Sequence, residues 1–344
     1  MDISRFTDKH CREQLMPFTL TRHTVDIRVG LFTIKERWEA AELKFPGLRL
    51  PPIIPADIIP GNALFSLMCE MSWEDALKHT DAFRVLEFPW QISLYNDWAI
   101  KQDFILATKG RTSATISPTV KRMGEGEVFF EEGVIAEHCY INTSAGPVYV
   151  SEGAEIMEGS MLRGPIFIGN SSIIKMGATI YGATTIGPQC VVGGEIKNSV
   201  FLGYSNKAHE GYLGDSVIGE WCNLGAGTTC SNLRNTATAV KVWRMDKHAF
   251  GNAGLKCGVL MGDYSRCSIN SSFNTGTVVG VSANIFQPGV LLPKFIPSFS
   301  WGPVPDLKYT FEKALTDINN WMNFKNKALN QEQINTLQHI FSNT

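Results

Sequence analysis

The amino-acid sequence predicts a mainly β protein built around a parallel β-helix, with a small α/β domain before it and helices after it. Three observations predict this. Val150, Ile156, Leu162, Ile168, Ile174, Ile180, Ile186 and Val192 recur at every sixth position without a miss. Four residues after most of them stands a small residue: Ala154, Ser160, Ser172, Ala178, Thr184 and Cys190. The stretches on either side follow other patterns. A six-residue period fits neither an α-helix nor a free-standing amphipathic strand. It fits a chain wound as a triangular prism, each face taking one short strand that points one aliphatic residue at the axis. The small residue fits the corner, and three hexapeptides close one coil of about 18 residues.

Residues 1–115 come first. They contain PFTLTRHTVDIRVGLFTIKERWEAA, a proline-rich stretch and two helix-like runs around 62–79 and 90–108. VDIRVGLFTI reads as a strand or a strand-to-helix junction, and the whole as a small α/β domain. The β-helix domain is assigned to 116–290, its prism to about 126–290. Ile218, Leu224 and Cys230 keep the register, as do Met261, Cys267, Phe273, Val279 and Ile285. Two breaks, 203–211 and 233–260, read as loops expelled from the prism, and loops of that kind usually carry function. Residues 291–344 follow. The linker PKFIPSFSWGPVP is expected to cover the open end of the prism. Leu307, Phe311, Ala314, Ile318 and Met322 have helical spacing. Asn330 with Gln333 resembles a capping box, opening a second helix that presents Ile334, Leu337 and Phe341.

The composition is that of an ordinary globular protein. Of 344 residues 44% are hydrophobic and 19% charged, and the net charge is -2. Nothing points to nucleic acid or an anionic membrane as partner. No apolar run reaches the ~18 residues that span a bilayer. The opening MDISRFTDKHCREQ is polar and mixed in charge, unlike a secretory signal. The chain is expected to be cytoplasmic. It has eight cysteines and no C-x-x-C pair. Cys190, Cys230 and Cys267 occupy repeat positions that want a small apolar side chain, so they read as buried free thiols.

The chemistry concentrates in KAHEGYLGDSVIGEWCNLGAGTTCSNL, residues 207–233. It holds a histidine in a predicted loop, a tyrosine three residues on, and asparagines beside glycines and serines. Histidine is the side chain that changes protonation near neutral pH, so His209 is the candidate general base. Gly225, Ala226 and Gly227 would let a thioester approach backbone N–H groups, which can receive a tetrahedral oxyanion. The plain alternative for His209 is a solvated loop residue.

This segment resembles the acetyltransferase domain of the bifunctional N-acetylglucosamine-1-phosphate uridylyltransferase/glucosamine-1-phosphate acetyltransferase. It is similar, too, to archaeal sugar-1-phosphate nucleotidylyltransferase/aminosugar acetyltransferases. The matching positions are His209, Tyr212, Gly214–Asp215, Asn223 and Gly225–Ala226–Gly227–Thr228. The resemblance implies a left-handed parallel β-helix, an exception to the right-handed crossover rule, and a homotrimer. It implies His209 as catalytic base, with Tyr212 and Asn223 contacting the amino-sugar phosphate or the acetyl group, and Asn232 as a substrate-binding residue at the donor–acceptor junction. Ala226 and Ser268 then lie along the acetyl-CoA groove, and Lys207 is a nearby cation for the sugar phosphate. Some positions depart from the family pattern. The sugar-contacting lysine of the family falls near Thr238, with Lys241 the nearest lysine, and CVVGGEIKNS has no match for an arginine of an earlier coil. A γ-type carbonic anhydrase uses the same prism but needs three histidines per site. Only His209 lies in the right kind of loop, His138 and His248 falling elsewhere, so no metal is expected.

Over nearly the whole chain the sequence resembles a bacterial group of sugar nucleotidyltransferase-type proteins. It shares FT-x-TR…DIRVG…TI, FPWQISLYNDWAIKQDF and IPSFSWG with them. That resemblance implies a reduced nucleotidyltransferase-like domain at 1–115, with Arg22 and Lys35 as nucleotide-phosphate contacts. A nucleotidyltransferase needs a glycine-rich phosphate loop and an acidic residue for Mg²⁺. Here Gly30, Gly47, Gly61 and Gly110 stand isolated, and Asp57 and Asp81 follow no clear strand. The expectation is therefore acetyl transfer to a hexosamine 1-phosphate, with residues 1–115 as a cap or binding surface. The alternatives are a Mg²⁺-dependent sugar-1-phosphate nucleotidyltransferase that uses the prism as scaffold, and a non-catalytic sugar-nucleotide-binding protein.

Overall fold

The computed structural model describes residues 1–286, 291–302 and 307–344. Its centre is a parallel β-solenoid of three sheets, with eight, nine and eight strands among the described residues. We call the faces A, B and C in the order the chain visits them. Face A starts at Lys121–Met123, face B at Val128–Phe130 and face C at Ile135–Ala136. The eight hexapeptide residues from Val150 to Val192 all point into one buried core. Small residues at the corners, Ala154, Ser160, Ser172 and Ala178, are buried beside them. Each buried aliphatic side chain contributes roughly 1.5–3 kcal/mol, so a strict repeat specifies the prism.

The two predicted breaks fare differently. Most of 233–260 does leave the prism, as an antiparallel hairpin of Lys241–Arg244 with Ala249–Asn252 at the corner between faces A and B, and Leu260 is already back on face B. Residues 203–211 do not. Face A pairs Thr179 with Glu195, and Glu195 with Tyr212, so these coils are shorter than the 18-residue coil from Met161 to Thr179. The axis positions there are Ile196, Phe201, Lys207 and Leu213, each buried. Corners lost residues while the strands stayed in column, which broke the six-residue period without expelling a loop. The linker also differs from expectation: it is itself the last coil. Phe295–Ile296 pairs with face B, and Trp301 bridges to Asn284 on face C. Its Pro303–Pro305 part and the 290 boundary lie outside the described residues.

Face B is apolar on both sides, as in a sheet covered on both faces. Its outward column begins Phe129, Tyr149, Phe167, whose rings stack or tilt against one another. The N-terminal segment covers this column with Leu31, Ile100 and Phe104. Higher up, Val200, Val217, Leu260 and Val278 join the core of the N-terminal segment itself. That segment has three two-stranded pairs, with helices at Ile34–Lys44, Asn62–Glu70 and Asn96–Thr108. The DIRVG motif is the strand-to-helix junction: Arg28–Val29 turns back on Phe32–Thr33, and Thr33 caps the next helix with Glu36. Gly30 sits at the turn with φ +81, and a Cβ there would stand 2.3 Å from Asp103 Oδ2. Its N–H donates to Asn96 Oδ1 at 2.8 Å, and Asn96 Nδ2 donates to Ala183 O of the solenoid at 2.7 Å.

Helices Phe311–Asn323 and Gln331–Ser342 pack along the corner between B and C, on Trp221, Tyr264, Val281 and Phe299. Asn330 and Gln333 form the expected capping box, whereas Leu307 lies outside the first helix and is exposed. No helix among the described residues is long and apolar enough to cross a membrane. The cysteines are free, all but Cys69 buried, and burial pushes the Cys190 and Cys230 thiols up to about 12.

Candidate functional site

With face B under the N-terminal segment and the B/C corner under the C-terminal helices, face A and its corner with face C stay open. The C/A corner is where the sequence placed its chemistry. His209 is exposed in the turn between Asn206–Lys207 on face C and Tyr212–Gly214 on face A. Ala226 occupies the same corner one coil on, because Gly227 N donates to Glu210 O at 3.0 Å. Ser268 begins that corner in the following coil, where Asn270 N donates to Ala226 O at 2.7 Å. His209, Ala226 and Ser268 therefore line one edge of the prism. The edge is shallow because Gly225 has no room for a side chain: a Cβ would stand 2.5 Å from Ile269 N.

Tyr212 opens a polar cluster on face A. Its hydroxyl accepts from Asn232 Nδ2 at 3.1 Å, and the same amide donates to Asp215 Oδ2. Asn198 Nδ2 donates to Asp215 Oδ1 at 2.7 Å. Burial raises the Tyr212 phenol, with Asp215 second, so the hydroxyl stays protonated and can donate to a ligand. Gly214 is glycine for a local reason, since a Cβ would meet Tyr212 Oη at 2.2 Å. One coil back, Glu195 pairs in register with Tyr212 and Lys197 with Gly214. Tyr181 donates to Glu195 at 2.6 Å, which with burial pushes its phenol up to about 12. Lys197 Nζ lies 5.6 Å from the Tyr181 ring. Lys197 and Asn198 were missed in the sequence, and Asp215 was matched there without a role. The signal was the outward column of face A, unreadable until the coils there were known to be short.

A second feature adjoins Asn232. A cavity of about 670 Å³ opens under the expelled hairpin, lined by Arg234, Lys241 and Lys294, with Asn235 and Asn274, and by no carboxylate among the described residues. Burial, then Arg234, lowers the Lys294 ammonium.

Other expected residues are placed differently. Lys207 is not a loop cation. It is an inward residue of face C, paired in register with Val192 and 1% exposed. It cannot meet a sugar phosphate from there. Asn223 lies on face C, half-buried between Asn206 and Arg266 in register, around the corner from Tyr212. Arg22 is buried at the joint of the N-terminal segment and the solenoid, paired with Asp263 and 3.6 Å from Glu220. Those carboxylates hold its Nη2, while Nη1 is buried without a partner among the described residues, so its charge is largely met within the protein. Lys35 is half-buried on its helix, 3.9 Å from Glu39, and does not converge with Arg22 on one pocket.

The family model described as sugar nucleotidyl transferase matches residues 3–44. The bifunctional sugar-1-phosphate nucleotidylyltransferase/acetyltransferase of Sulfurisphaera tokodaii is 35% identical over 153 residues, 43% of this chain and 37% of that protein. The bifunctional protein GlmU of Methanocaldococcus jannaschii is 34% identical over 166 residues, 45% of this chain and 33% of that protein. That of Synechococcus elongatus is 28% identical over 235 residues, 65% and 45% of the two chains. The chain thus spans less than half the length of these curated relatives.

Proposed function

We propose that this chain transfers an acetyl group from acetyl-CoA to the amine of a hexosamine 1-phosphate, in nucleotide-sugar biosynthesis. The observation that carries the reading is the C/A edge. There His209 stands in line with Ala226 and Ser268, beside the Tyr212–Asn232–Asp215 cluster. The thioester lies along the edge over the Gly225–Gly227 backbone. The amine attacks its carbonyl carbon, and His209 takes the amine proton. Backbone N–H groups receive the oxyanion. Collapse breaks the C–S bond, and the thiolate leaves and is reprotonated from solvent. The sugar hydroxyls meet Tyr212 and Asn232, and its phosphate meets Lys197. The His209 ring makes no hydrogen bond among the described residues, so in this reading the other wall of the groove comes from a neighbouring copy. Face A is the free surface for a homotrimer and exposes Tyr140 and Met161.

His209→Ala should lower thiol release from acetyl-CoA by roughly 10²–10⁴, the usual contribution of a general base, with CoA affinity nearly unchanged. A wild-type rate would refute the assignment.

The match over residues 3–44 favours a second reading, sugar-1-phosphate nucleotidyl transfer with Mg²⁺. Against it stand the isolated glycines and the largely paired Arg22. We expect little pyrophosphate from nucleoside triphosphate, Mg²⁺ and N-acetylglucosamine 1-phosphate. Turnover on the order of 1 s⁻¹ would restore that reading.

A further inference from the structure

A charged group on the axis of an apolar prism needs an explanation. Lys207 occupies a column of face C whose other members are Ala136, Ile156, Ile174, Val192, Leu224, Cys267 and Ile285. Stability alone would fill it with another aliphatic residue, since burying an ammonium is costly unless it is well partnered. Both of its partners belong to the C/A corner. Nζ donates to His209 O at 2.7 Å and to Gly193 O, one coil back, at 3.3 Å. Among the described residues the His209 carbonyl accepts from nothing else.

We propose that Lys207 is a positioning residue, which reaches from the prism axis to hold the His209 carbonyl and so fixes the direction in which the imidazole leaves the corner. The inference rests on reading His209 as the base. The exposed ring has no partner of its own to orient it, so its backbone must. The flanking bonds, Gly193 N to Lys207 O and Gly227 N to Glu210 O, hold the turn at its neighbours but not at His209. Burial lowers the Lys207 ammonium to about 8, with Glu210 and then Cys267 opposing that shift. A neutral amine still carries hydrogens for both carbonyls, so the tether outlasts its charge in weakened form.

The test compares wild type, Lys207→Met and His209→Ala as full-length chains. Methionine keeps the length of the side chain, suits the apolar axis and removes the tether. Lys207→Met should stay folded, with a thermal midpoint close to wild type. Its kcat should fall on the order of tenfold to a hundredfold, the scale set by small misplacements, with KM for acetyl-CoA little changed. Amide exchange at Gly227, whose hydrogen goes to Glu210 O, should accelerate several-fold. A lysine that served stability alone would move the midpoint and the rate together. Wild-type kcat in Lys207→Met beside an inactive His209→Ala overturns the proposal. If His209→Ala is itself fully active, the base assignment fails instead, and Gly227 exchange decides the tether alone: unchanged exchange overturns it. Should Lys207→Met fail to fold, Lys207→Arg, which keeps the donors, must restore folding and part of kcat, and failure to restore kcat in a folded Lys207→Arg counts against the tether.

Discussion

Asp103→Ala should cost this protein about 3–5 kcal/mol, the typical penalty for stripping a buried charge of its partner. Asp103 and Arg37 have side chains each 1% exposed, and the pairing is bidentate, with Nε to Oδ1 and Nη2 to Oδ2 both at 2.7 Å. The same carboxylate accepts the Leu31 amide at 2.8 Å. Removing it leaves a guanidinium and an N–H unpaired in the interior, and an unmade buried bond alone costs about 1–3 kcal/mol. The pair itself is not a net source of stability. Burial raises the Asp103 carboxyl above its ordinary value although Arg37 opposes this, so desolvation outweighs attraction. A raised folded value means this carboxyl favours folding most at low pH and loses that contribution as pH rises through the window above 3.8. It follows that Arg37→Met with Asp103→Leu should recover much of the loss, to within about 2 kcal/mol of wild type. Urea unfolding followed by tryptophan fluorescence reads this directly, because Trp38 is fully buried in the same core. A loss below about 1 kcal/mol for Asp103→Ala, or a double variant no better than the single one, would refute the reasoning.

Lys207 gives a prediction of the opposite sign. Its folded value is lowered to about 8 from 10.5, so between those limits the unfolded chain binds the extra proton. Wild type should gain stability relative to Lys207→Met as pH rises through that window, a slope that paired thermal scans would detect; parallel curves would rule it out. Multi-angle light scattering at micromolar concentration should give three times the monomer mass, and a stable monomer would remove face A as an interface.

The prism was legible because its core is a one-residue code repeated eight times. The departure of the chain after Leu233 was legible too, since an interruption that long must leave the axis, but its hairpin was not. What misled was Lys207. A lysine flanked by Asn206 and Ala208 looks like a solvated loop, and only register shows that its stem lies on the axis while its ammonium reaches a corner. Coils shortened at their corners hid Ile196, Phe201 and Leu213 for the same reason. The C/A edge that we propose as catalytic was readable residue by residue, in His209, Tyr212 and Ala226, because its members lie within one coil and the next. The Asp215 cluster was not, because Asn198 and Asn232 meet only after the chain has come around twice. Arg22 shows a different limit. An arginine after two threonines has no sign that says phosphate rather than carboxylate, and its partner Asp263 lies 241 residues away.

The shortened coils have a consequence for how such a chain can change over time. Between Thr179 and Tyr212 each circuit closes on the same column although the circuits differ in length. Position in this protein is therefore counted in circuits, not in residues. A single residue lost at a corner leaves every later strand facing the same way, whereas one lost inside a strand would turn its inward side chain to the solvent. Gaps between this chain and its relatives should then gather at the three edges of the prism. The C/A edge, which carries His209, is the place where a corner's length and its chemistry are altered by the same event.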